Sequence, residues 1–327
     1  MSREIPHRPR LDCGLIRPTT RGWSQPGGPT QPRTRVSVPA GALGLLLAAL
    51  SLGAALPLYA QDAETHVQAL TPLPRGHLFQ PLIADPKTPR FDTSVLRATS
   101  GVRNTTVWAV AFGENFGLAR WGTGRRAVQL NLSGAVFAQF DLGTPSWDLI
   151  NADYVIGIPL AVRVGAVSAQ VRLYHQSSHL GDEFLLSAHP QRVNLSFESL
   201  EWLASYDRAG WRLYGGWEYL LHREPAELRP RTVQIGIERR HVNPLLRIGD
   251  VAVGRLVAAL DGQWSEQHGW GPAWSAKAGL EFGSAVAGGE PTRRWSLLVQ
   301  YYNGPSPYGQ FYTQDVAYVG AGLQFTF

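Results

Sequence analysis

The last eleven residues of the chain, Ala317 to Phe327, alternate apolar with small or polar side chains and stop on an aromatic at the carboxyl terminus. Ala317, Val319, Ala321, Leu323, Phe325 and Phe327 share a two-residue period, so they lie on one face of a strand and leave no residues for a closing turn or helix. The chain must therefore end as a strand with one face apolar. The question is how many strands precede it, and in which solvent.

Segments of about ten residues with the same alternation recur from residue 91 onward, divided by Gly, Pro, Asp or Asn clusters. In the clearest, Val128, Leu130, Leu132, Val136, Ala138, Phe140 and Leu142 oppose Gln129, Asn131, Ser133, Gln139 and Asp141. Tyr154, Ile156, Ile158, Leu160, Val162 and Val164 likewise oppose Asn151, Asp153 and Arg163. Three later strands carry aromatic ends: Trp211 to Leu221, Trp274 to Phe282 and Trp295 to Tyr301. The count is about twelve, or ten if Phe91 to Ala98 and Asn104 to Trp121 are discounted. An even set of short amphipathic strands with Trp and Tyr at their ends predicts an all-β fold, a transmembrane antiparallel β-barrel spanning residues 91–327, with apolar faces toward lipid.

The amino terminus supports export. The formal charge of +5 is carried by residues 1–60, where seven arginines face only Glu4 and Asp12. Of 30 basic and 25 acidic residues in all, 23 of each remain, and the rest of the chain is neutral. This excludes a general nucleic-acid-binding surface. The basic stretch precedes an uncharged apolar run, Val36 to Leu58, and a small residue, Ala60, before Gln61 and Asp62. Residues 1–60 thus read as a leader and signal peptide cleaved after Ala60, with a membrane-spanning helix as the competing reading. The single cysteine, Cys13, lies in that leader, so the mature chain needs no disulfide or thiolate metal site. Residues 61–90, rich in Pro and Leu without a clean period, read as a periplasmic arm.

Direction follows from the end. If Phe327 closes the barrel in the periplasm, Gly165-Ala166 and Asp207 to Gly210 are periplasmic turns, and the long segments His179–Arg192, His222–Pro230 and Asn303–Gln314 lie outside the cell. The links His241–Asp250 and Gly283–Arg293 are long for periplasmic turns. Arg163, Arg172 and Arg212 point into the lumen with Asp153 and Glu218 as candidate partners, which predicts a charged plug rather than an open pore.

The segment that carries chemistry is Ala166 to Ser178, followed by His179-Leu-Gly-Asp-Glu-Phe-Leu. Val167, Ala169, Val171 and Leu173 take the lipid face, and the same parity puts His175 and Ser177 on that face at the extracellular end. An imidazole at i and a hydroxyl at i+2 are placed for a general base to activate a nucleophile. His179 shares the parity and is an alternative base. The competing reading is a polar rim contacting lipopolysaccharide headgroups.

These residues resemble the His-x-Ser of outer-membrane phospholipase A, a twelve-stranded barrel with that pair facing outward on one strand. The resemblance implies Ser177 as nucleophile, His175 as base and Asn194 as the residue that orients the imidazole. It also implies calcium, for which Asp182 and Glu183 are the hard oxygen donors next in sequence. Here Ser178-His-Leu-Gly181 stands where that family carries Asn-Gly, and the loop to Asn194 is longer. Over the mature chain, Phe79-Gln-Pro-Leu-Ile-Ala-Asp-Pro86, Pro89-Arg-Phe91 and Tyr174 to Glu183 resemble the bacterial domain of unknown function 1207, which implies an exported envelope protein. The terminal Phe327 strand resembles the signal read by the barrel-assembly machinery. The expected partners are that machinery and outer-membrane lipids, with a homodimer left open. A lipid hydrolase, a narrow channel and a structural or adhesive barrel are the three functions in competition.

Overall fold

A computed structural model describes residues 70–100, 105–123, 126–190, 192–249, 252–284 and 293–327. The expected leader and cleavage site lie outside the described residues, as does the first part of the expected arm.

Twelve strands close an antiparallel barrel: β2 (Phe91–Ser100), β3 (Thr106–Thr123), β4 (Arg126–Asp141), β5 (Leu149–Val164), β6 (Val167–Leu180), β7 (Leu195–Arg208), β8 (Trp211–Glu224), β9 (Arg231–Arg240), β11 (Ala252–Ser265), β12 (Pro272–Ser284), β13 (Arg294–Pro305) and β14 (Asp315–Thr326). Each pairs with its neighbour, and the β14 to β2 pairing, with Phe325 opposite Phe91, closes the ring. Two short strands lie off it: β1 (Leu70–Pro72) borders the lower half of β3, and β10 (Leu246–Ile248) pairs with β11 inside the long link 241–250. Both weakly patterned segments at the start are full barrel strands, so the number is twelve.

Alternation explains the wall. Along β5, Tyr154, Ile156, Ile158, Leu160, Val162 and Val164 are exposed, while Asn151, Asp153 and Pro159 are fully buried. The same outward exposure recurs at Val233, Ile235 and Ile237 and at Leu297, Val299 and Tyr301. The described residues contain no helix long and apolar enough to cross a membrane. Turn chemistry sets the register at one end. Gly165 has φ of 61°, and Ala209 and Gly210 have φ of 51° and 78°, the positive values that two-residue hairpins require.

The chain itself occupies part of the lumen. The expected arm spans residues 61–90; its described part from residue 73 runs inside the barrel, where Leu78, Phe79, Leu82, Ile83 and Ala84 are buried against inward residues such as Ala161, Leu203, Val257 and Leu298. Their backbone is satisfied by the wall: Ile83 N–H donates to Glu238 Oε1 at 2.7 Å, and Ser275 Oγ donates to the Ala84 carbonyl at 2.6 Å. Apolar residues in the arm and polar wall residues opposite them are therefore one design, because a lumen lined by Gln, Ser and Glu needs backbone partners. At the other end, helix α1 (Asp182–Ala188) buries Phe184 beside Phe311.

The lumen charges pair differently from the expectation. Arg172 bonds Glu201 at 2.7 Å, Arg212 lies 3.6 Å from Glu238, and Arg163 lies 3.9 Å from Asp207. Asp153 is taken by Lys87 of the inserted segment at 2.6 Å. Glu218 accepts from Tyr174 and Ser199. A single strand reading can find inward charges, but not the partner supplied by a segment without periodicity.

Candidate active site on the outer wall

β6 alternates cleanly: Ser168, Gln170, Arg172, Tyr174, Gln176 and Ser178 are buried toward the lumen, and His175, Ser177 and His179 point outward with Val167 and Leu173. Across the sheet, Ser177 pairs in register with Tyr154 on β5 and Ser196 on β7, and His175 pairs with Ile156 and Glu198. A hydroxyl and an imidazole thus share one face, two residues apart on one strand, at the end of β6 that carries α1 and the long β6–β7 link.

The residue that engages the imidazole is Glu198. Its Oε1 lies 2.8 Å from His175 Nδ1, and its Oε2 lies 2.9 Å from Nδ1 of His222 on β8. With the carboxylate accepting from Nδ1–H, the other nitrogen, Nε2, is left as the proton acceptor. His175 and Glu198 are about two-fifths exposed, so the pair is reachable from the surrounding medium. No hydrogen bond joins His175 to Ser177 among the described residues, where His175 is engaged by Glu198.

Asn194 does not take the expected place. It precedes β7, is exposed, and makes no hydrogen bond among the described residues, because in-register pairing begins with Leu195 opposite Ser178. Glu198 has the same outward parity as Leu200, Trp202, Ala204 and Tyr206, and a carboxylate in that apolar run was the available signal. His222 was harder to find. A two-residue period aims Leu221 outward and His222 inward, but a β-bulge shifts the β7–β8 register between Glu198 and Ser199 and turns His222 onto Glu198. His179, the alternative base, packs edge to face on Tyr154 with ring centroids 5.8 Å apart and has no carboxylate partner among the described residues.

An apolar groove of about 450 Å³ opens on the same outer wall and ends at His175. Phe112, Phe116, Tyr154 and Ile156 line it, and its floor is Gly134, where a Cβ would meet nothing within 4 Å. Glu114, Gly134, Ile156, His175, Glu198 and His222 stand opposite one another in succession, forming one register row across six strands. Two strand spacings, roughly 10 Å, separate Gly134 from His175 along that row.

Asp182 and Glu183 form the exposed first turn of α1, where two carboxylates complement the helix dipole. No group of three or more His, Cys, Asp or Glu that would hold a metal occurs among the described residues. Two carboxylates from one helical turn fall well short of the six to eight oxygens that calcium takes.

The chain belongs to the family described as protein of unknown function (DUF1207), whose model matches residues 56–327. No protein of curated function matches it. Among solved structures it is similar to outer membrane phospholipase A from Escherichia coli, at 14% identity and a TM-score of 0.49, over 73% of this chain and 91% of that one. It is also similar to the Salmonella typhi outer membrane phospholipase dimer with bound calcium, at 13% identity and a TM-score of 0.49, over 81% and 94%. A third similarity is to the β-domain of the Bordetella autotransporter BrkA, at 12% identity and a TM-score of 0.37, over 73% and 97%.

Proposed function

We propose that this member of the DUF1207 family is a bacterial outer-membrane hydrolase that cleaves acyl esters of phospholipid or lipopolysaccharide from the lipid-facing side of its wall. The observation that carries the reading is the 2.8 Å contact of His175 Nδ1 with Glu198 on the face that also presents Ser177. Polar groups on a lipid-facing surface are costly, and a row of them at one end of otherwise apolar strands calls for a role.

In this reading Ser177 Oγ attacks the ester carbonyl carbon while His175 Nε2 takes its proton. The tetrahedral intermediate collapses with that proton passing to the leaving alkoxide, giving an acyl-serine and a lysolipid. Water, deprotonated by the same imidazole, then releases the fatty acid. Glu198 holds the ring and stabilises the imidazolium, the role first expected of Asn194. The groove over Gly134 receives the acyl chain. Calcium, if used, would have to draw on Asp182 and Glu183, and no step above depends on it.

The inserted residues 78–84 and Phe184 narrow the lumen, which weighs against the channel reading. A structural barrel whose His175–Glu198–His222 row merely contacts headgroups is the surviving alternative. The deciding experiment labels detergent-solubilised protein with a serine-directed sulfonyl fluoride and assays fatty-acid release from phospholipid micelles. Labelling at Ser177 with release lost in Ser177→Ala is expected; a correctly folded barrel with neither labelling nor release would sink the hydrolase reading.

A further inference from the structure

The end of the barrel opposite His175 holds a cluster of arginines that the hydrolase chemistry does not use. Arg163 on β5, Arg212 on β8, Arg240 on β9, Arg255 on β11 and Arg294 on β13 all have inward parity and line one cavity of about 410 Å³. Among the described residues, the carboxylates that face them are Asp207 and Glu281 in the lining and Glu238 beneath it, so these five arginines meet three negative charges. Arg208 and His241 stand at the rim and add no negative charge.

Part of this cluster serves the inserted segment. Arg163 Nε donates to the Leu78 carbonyl at 3.0 Å, Arg212 Nη1 donates to the Gln80 carbonyl at 2.9 Å, and Arg294 Nη2 donates to Gln80 Oε1 at 2.5 Å. Arg240 is held between Glu238 at 3.1 Å and Glu281 at 3.2 Å, Arg212 Nε lies 4.0 Å from Asp207, and Arg294 Nε lies 3.8 Å from Glu281. That accounting leaves donors over. Arg212 is only 2% exposed, yet its Nε and Nη2 have no hydrogen-bond acceptor among the described residues, and neither does the buried Nε of Arg255. Arg255 has no ion pair and touches no carbonyl of the inserted segment among the described residues. Clamping the plug therefore does not explain it.

We propose that this cavity is a binding site for a compact phosphate-bearing anion at the barrel mouth opposite the ester-cleaving face. Buried guanidinium N–H donors left without acceptors are costly, and the planar fork matches phosphate oxygens in bidentate geometry. Excess positive charge among the described residues that line the recess favours a multiply charged ligand over a single carboxylate. The volume suits a small molecule or one lipid headgroup. By chain direction this mouth faces the periplasm, so a soluble phosphorylated compound and an inner-leaflet phospholipid headgroup offer the same chemistry. The site shares no residue with Ser177, His175 or Glu198 and stands or falls apart from the hydrolase reading.

The test is isothermal titration of the full folded barrel, in a neutral detergent, with inorganic pyrophosphate and separately with a monomeric short-chain phosphatidylglycerol. Arg255→Gln is the informative variant, because it removes a cavity charge without removing a contact to residues 78–80; heat-modifiable migration on a gel verifies its folding. Saturable pyrophosphate binding weakened at least tenfold by Arg255→Gln supports the site with a soluble ligand. Binding of the phosphatidylglycerol alone, weakened by the same variant, supports it with a lipid source. Absence of binding for both probes, or binding that Arg255→Gln leaves unchanged, overturns the proposal.

Discussion

His175 and Glu198 stand opposite each other on β6 and β7, and the 2.8 Å contact between Nδ1 and Oε1 fixes the imidazole with its other nitrogen turned away from the carboxylate. Ser177→Ala and His175→Ala are each expected to abolish fatty-acid release. Glu198→Gln keeps the shape but not the charge that stabilises an imidazolium, and a loss on the order of 10²–10⁴-fold in kcat is expected with little change in KM. His222→Leu removes only the second ligand of the carboxylate and should cost less than tenfold. If His222→Leu and Glu198→Gln were equally damaging, the row would be acting as a structural network rather than as a triad with an outer neighbour.

The groove beside His175 predicts a chain-length effect. Gly134 lies on the outer face with nothing within 4 Å of an added Cβ, so the side chain of Gly134→Leu starts into open space and occupies the groove floor. Folding should be unaffected. Hydrolysis of long-chain esters should fall at least several-fold while short-chain esters are cleaved as before, measured as kcat/KM over a series of acyl lengths. An equal loss for all lengths would place the acyl chain elsewhere.

The wall of this barrel was legible in its sequence because a two-residue period is a direct image of a surface with two solvents. Ile156 and Val299 outward, Asp153 and Gln300 inward, follow from parity alone. His175 and Ser177 were found by the same rule. Residues 73–90 were not, since a segment that satisfies its backbone through Glu238, Ser275 and Arg212 needs no period of its own. Asn194 and Glu198 share parity, so only the register, which begins with Ser178 opposite Leu195, separates them. His222 lay beyond parity altogether, because a bulge inserts one residue and reverses every side chain after it.

The donor set beyond Ser177 also makes a claim. Asp182 and Glu183 are adjacent residues on an exposed helical turn, and this pair is a poor cage for a hard cation. Excess chelator should leave fatty-acid release within about twofold of its value with calcium, and Asp182→Asn should behave like wild type. A chelator-sensitive activity restored by calcium would mean that oxygens from outside this turn, such as those of a lipid phosphate or a second copy of the chain, complete a site.

The inserted segment is tied to the wall by Lys87 and Asp153, and this pair predicts how the lumen responds to charge. Asp153 is fully buried; it accepts from Lys87 at 2.6 Å, from Gly309 N–H at 3.1 Å and from Ser178. Lys87→Met leaves a buried carboxylate with two neutral donors, and such a broken pair typically costs about 3–5 kcal/mol. Lys87→Met with Asp153→Leu removes both charges and should recover most of that loss. Urea unfolding of the detergent-solubilised barrel measures both, with the single variant expected to unfold at lower urea than the double. If the two variants unfold together, the ion pair does not hold the segment, and burial of Leu78, Phe79 and Leu82 alone keeps it inside.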